Sequence, residues 1–156
     1  MSDVHPARVA ADADVLAADL FVDGDARAAL DHVRSHSWVD LVASGPLLDD
    51  AEAVVAALGD PALAADWRER VEGEATLVSH PEGDQPALAA AHAGDAAHVL
   101  SYDETLRSAR TGMELKARVD VSVKAPDAFA RLFDPEKLYP TVAGGDYPGP
   151  DRDPRE

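Results

Sequence analysis

The sequence predicts an α/β fold with a mostly parallel sheet and helices on both of its faces. Three observations predict it. Short apolar runs bounded by turn residues alternate with segments of helical period. Ser, Asp and Pro stand where helix caps and first-turn prolines belong. The chain has 156 residues, 46 % of them apolar, which suits one domain with one core.

Residues 8–12 (RVAAD) form an apolar run closing on an acid, and read as the first strand. A helix follows, with Val15, Leu16 and Leu20 on one side. Gly24 interrupts it, and a second helix spans 25–36 with Leu30 and Val33 inward. Residues 38–43 alternate weakly and read as the second strand. Ser44 is an N-cap for a helix burying Leu47, Leu48, Ala51, Val54, Val55 and Leu58, and Gly59 ends it. Asp60-Pro61 opens the next helix, with Leu63, Trp67 and Val71 inward. A third extended run covers 75–79, and a turn-rich loop covers 80–84. Residues 86–92 are a small-residue helix stopped by Gly94. Residues 97–101 are a buried strand, and Asp103 caps a helix reaching about Lys116. Val119, Val121 and Val123 alternate with polar residues as a half-exposed strand. Pro126 opens a helix with Phe129, Leu132 and Phe133 inward. Residues 1–143 thus read as one domain. Residues 144–156 (GGDYPGPDRDPRE) are rich in Gly, Pro and charge and read as a disordered tail.

Composition excludes several classes of function. There is no cysteine, so disulfides, thiolate metal sites and cysteine nucleophiles are out. No apolar run reaches the ~18 residues of a membrane span, and no N-terminal stretch reads as a signal peptide. The expectation is a cytoplasmic protein without membrane partners. No Gly-rich phosphate loop is present, so no nucleotide cofactor is expected. The formal net charge is −16, with Asp dominating the acids, Arg the bases, and only Lys116, Lys124 and Lys137 as lysines. This pattern resembles the proteins of extreme halophiles, whose carboxylate-rich surfaces stay soluble at molar salt.

Where the acids fall matters more than their number. In a parallel sheet joined by right-handed crossovers, ligands bind outside the carboxyl ends of the strands. Asp12 ends the first strand and Asp14 follows it. Asp49 lies early in the helix after the second strand. Asp84 precedes the helix after the third, and Asp103 follows the fourth. Several carboxylates sharing a cleft repel one another unless a cation joins them. Oxygen donors without Cys or His select Mg²⁺ or Mn²⁺.

Five blocks, in order, resemble the PIN-domain nuclease family. They are VAADADVLAADL (9–20), ASGPLLDDAEAVV (43–55), HPEGDQPALAAA (80–91), HVLSYDETL (98–106) and VSVKAPDAF (121–129). The resemblance covers residues 8–133. It implies a three-layer α/β/α fold and metal-dependent cleavage of single-stranded RNA by an activated water. Asp12, Asp49, Asp84 and Asp103 would be the catalytic metal ligands for Mg²⁺ or Mn²⁺, with Asp14 and Ser101 supporting them by hydrogen bonds. Asp49 stands where that family usually has Glu, with Asp50 as its substitute. RNA is the implied substrate, and a homodimer or an antitoxin-like protein the implied partner, as in toxin–antitoxin pairs. Arg107 and Arg110 are the candidate phosphate contacts in a chain without a basic patch.

Two other classes compete. One is a domain of this kind that binds metal, RNA or a protein without turnover. The other is a phosphoacceptor receiver domain, suggested by Asp12 with Asp14, Ser101, and Lys124 before Pro126. That family needs an Asp at the end of the third strand, where Ser79 stands here. Among the histidines, His32 and His36 share a helix face but lack a third ligand, so they read as solvent-facing. His80 is the histidine placed to approach the acidic edge. Trp38 and Trp67 read as core aromatics.

Overall fold

A computed structural model describes residues 5–22, 24–80, 86–102 and 122–152. Among these residues five strands appear in chain order: β1 (His5–Ala11), β2 (Asp40–Ser44), β3 (Thr76–Val78), β4 (Ala96–Leu100) and β5 (Ser122–Lys124). Among the described residues there are seven helices. They are α1 (Ala13–Phe21), α2 (Asp25–Arg34), α3 (Gly45–Leu58), α4 (Pro61–Glu74), α5 (Pro86–Ala93), α6 (Pro126–Leu132) and α7 (Pro135–Val142).

All strand pairs are parallel, in the order β3-β2-β1-β4-β5. The chain steps outward from β1 through β2 to β3, then returns to β4 on the other side of β1. Right-handed crossovers therefore put α1–α4 on one face and α5 on the other, which makes three layers. Side chains agree with this. Val42 packs against the end of α5, where a Cβ on Gly94 would come within 2.6 Å of its Cγ1. His98, on the opposite face, stacks edge-on against Phe129 of α6 at 5.8 Å. The order also removes the receiver reading. Doubly wound receivers follow 2-1-3-4-5, and here β3 is an edge strand.

The core is made of small side chains. Ala10, Ala11 and Ala43 of the sheet are buried, as are Ala51 of α3 and Ala87, Ala90 and Ala91 of α5. Short side chains bring helix and sheet backbones close, and β-branched Val9, Val42 and Val99 fill the layers between. Caps fix the helix starts as expected. Ser44 accepts from the Leu47 amide at 3.3 Å, and Asp60 from the Leu63 amide at 2.8 Å. The inward stripe of α4 is Ala64, Trp67 and Val71 rather than Leu63, which is 36 % exposed beside its cap. Leu58 and Leu132, also expected inward, end their helices and are exposed.

Residues 144–152 adopt no helix or strand, yet they do not hang free as the composition suggests. Tyr147 Oη bonds His36 Nε2 at 2.6 Å. The Asp151 carboxylate accepts from the Ser37 amide at 2.7 Å and also bonds the Ser37 hydroxyl. Arg152 donates to the His36 carbonyl at 3.0 Å. His36 is correspondingly 2 % exposed, not solvent-facing. Its ring sits among Trp38, Phe133 and Tyr147, and Nδ1 bonds the His32 carbonyl at 2.7 Å. Aromatic contact, unseen in a local reading, outweighs the polar composition here. No described helix is long and apolar enough to cross a membrane.

Candidate functional site

The strand order places a topological switch between β1 and β4. From β1 the order steps to β2 on one side, while β4 lies on the other, and ligand crevices form at the carboxyl ends of such a switch point. Asp12 and Ser101 occupy that point. Ala11 pairs with Leu100, and the ladder runs one residue further: the Asp12 amide donates to the Leu100 carbonyl at 2.8 Å, and the Ser101 amide to the Lys124 carbonyl at 3.0 Å. Asp12 and Ser101 therefore sit side by side where the strands end.

Asp12 is the N-cap of α1, with Oδ1 accepting from the Ala13 amide at 2.9 Å. Its Oδ2 accepts from the Ser101 hydroxyl at 2.9 Å. Ser101 has no exposed surface. One bond per oxygen leaves each with a lone pair, and two fixed contacts hold the carboxylate in one orientation. Asp14 lies in the first turn of α1, where the helix N-terminus favours negative charge.

Tyr102, next to Ser101, carries the corner outward and is 43 % exposed. Partial burial raises its hydroxyl pKa above 10.0, and Asp25, Asp14 and Asp127 push the same way against the Ala26 amide. Among the described residues, the charges acting on that hydroxyl are all negative. Asp25 and Tyr102 escape a reading based on strand-end acids, because Asp25 starts α2 and reaches the corner only through packing. A second polar point lies along the same edge. Ser44, fully buried at the end of β2, bonds His80 Nε2 at 2.6 Å.

Asp49 does not join this corner. Its carboxylate pairs with Arg68 Nη1 of α4 at 2.6 Å, and its side chain is 70 % exposed. It lies one turn into α3, on the face it shares with Glu52, which binds the same guanidinium at 2.8 Å. Asp84, Asp103, Arg107 and Arg110 lie outside the described residues. Among the described residues, no three His, Cys, Asp or Glu side chains gather as a metal cage. Mg²⁺ keeps most of its waters and is commonly held by one or two carboxylates, and Asp12 is the carboxylate fixed at this corner.

A family model matches residues 3–155, nearly the whole chain. It is not that of the PIN-domain nucleases, and no PIN-domain model matches, so the likeness of the five blocks does not amount to membership. Each block consists of features any parallel α/β chain shares: an Asp or Ser capping a helix after a strand, an alanine-rich helix, a proline at a first turn. No match was found among curated proteins or among solved structures. The chain belongs to the family of unknown function DUF7384, whose description assigns it no activity.

Proposed function

We propose that the crevice at the carboxyl ends of β1 and β4 is a Mg²⁺- or Mn²⁺-dependent phosphodiesterase site acting on single-stranded RNA. The observation that carries this is Asp12, fixed by the buried hydroxyl of Ser101 at the switch point of a parallel sheet. A divalent ion held there would supply Lewis-acid polarisation of a phosphoryl oxygen. The protein's own part is positional. Asp12 and Asp14 provide hard oxygen donors, and Ser101 keeps Asp12 aimed.

Tyr102 supports a single-stranded substrate. An exposed aromatic ring beside the carboxylates offers an unpaired base a stacking face. The net charge of −16 weakens steering of RNA toward the protein. Counterion release contributes little at molar salt, so stacking on Tyr102 and phosphate contact at the Asp12 corner would supply the affinity.

The test is cleavage of a labelled single-stranded RNA in molar KCl with Mn²⁺, comparing the wild type with Asp12→Asn and with EDTA. The wild type cleaves, and both controls stop it. Equal cleavage by wild type and Asp12→Asn, or none with any divalent ion, sinks the reading. Metal binding without cleavage would leave a binding domain in its place.

A further inference from the structure

On the face of the sheet that carries His98, β4 and β5 share a cavity of about 340 Å³ with α6 and α7. Its walls are apolar, from Phe129, Phe133 and Leu138, and Lys124 and Lys137 line it together with His98. The chain has three lysines in all, against 30 acids, and two of them face this one space. Arg is the usual base elsewhere in the sequence. We propose that this cavity binds a small amphipathic carboxylate, its apolar body between α6 and the sheet and its head on Lys124 and Lys137.

Among the described residues, no carboxylate lies within ion-pair distance of either lysine. Asp134, which also lines the cavity, instead caps α7 by accepting from the Lys137 amide at 3.3 Å. Lys124 Nζ donates to Ser122 Oγ at 2.7 Å and reaches His98 Nδ1 at 3.4 Å. An ammonium has three N–H donors, so a third remains for a ligand. Burial lowers the Lys124 pKa from its ordinary 10.5, and a bound carboxylate would offset that cost. The volume falls at the small end of ligand pockets, roughly 300–1,000 Å³. That favours a medium-length chain or a single ring over a long acyl chain.

The probes are octanoate, 1-octanol and acetate, titrated calorimetrically into the full chain in molar KCl. Octanoate should bind saturably, one per chain. Lys124→Met and Lys137→Met should each weaken it by about tenfold or more. 1-Octanol should bind more weakly and ignore both substitutions, and acetate should not bind. Lys137 is solvent-exposed, so its variant tests the idea even if Lys124→Met fails to fold. The proposal is overturned if octanoate does not saturate, if 1-octanol matches it, if acetate matches it, or if the folded lysine variants bind it unchanged.

Discussion

The Ser101 hydroxyl donates to Asp12 Oδ2 at 2.9 Å and so ties the carboxyl end of β4 to that of β1. Ser101 is wholly buried, so this bond gains nothing from water. Ser101→Ala should cost about 1–2 kcal/mol of stability, because a hydrogen bond to a charged carboxylate is lost. It should also weaken divalent-ion binding by roughly 10–100-fold, as loss of a positioning partner does. Urea denaturation and a Mn²⁺ titration measure the two effects separately. An alanine variant that binds Mn²⁺ like the wild type would mean that the bond is structural only.

Asp49 should behave quite differently. It belongs to a surface network in which Arg68 also meets Glu52 at 2.8 Å and Glu72 at 3.5 Å. Asp49→Asn should lower stability by less than about 1 kcal/mol. It should leave Mn²⁺ binding and RNA cleavage unchanged. A loss of ion binding in this variant would show that Asp49 swings from Arg68 to the corner in solution.

Tyr102 separates binding from chemistry. If its ring stacks on a base, Tyr102→Ala should raise KM by an amount corresponding to about 1–3 kcal/mol, with kcat largely kept. Tyr102→Phe keeps the ring and should stay near wild type. Steady-state kinetics on a short RNA decide it, and equal KM values for the two variants would remove the stacking role.

The parallel architecture was legible because apolar runs, caps and helix stops alternate along the chain, and Ser44, Asp60 and Gly59 stand where the structure uses them. The strand order was not, since which strand lies beside β1 is decided by packing of distant residues. That order discards the receiver reading and puts Ser101 against Asp12. Asp49 misled for a local reason: its distance from β2 fits a site ligand, but its helical face turns toward Arg68, 19 residues on. The tail misled for the opposite reason. Its Gly, Pro and Asp content argues against packing, while Tyr147 finds His36 111 residues away. The family resemblance failed because capping chemistry recurs in unrelated α/β chains.

Acid stability reports on His98. Burial, aided by Lys124, lowers its pKa to about 4 from an ordinary 6.5. Between these values the unfolded chain binds a proton that the folded chain refuses. Stability from this residue is therefore complete above about pH 6.5 and is lost progressively as the pH falls toward 4. His98→Gln should flatten that part of the profile. Urea midpoints across the range measure it, and parallel wild-type and variant curves would contradict the burial of a neutral His98.

Whether the Asp12 corner holds a divalent ion is read by Mn²⁺ binding followed by electron paramagnetic resonance in molar KCl, where loose association with surface carboxylates is screened. The wild type should take up Mn²⁺ saturably, Asp49→Asn should match it, and Asp12→Asn should lose the site. Superimposable isotherms for the wild type and Asp12→Asn would mean that the ion is held by the acidic surface at large and not by the Asp12 corner.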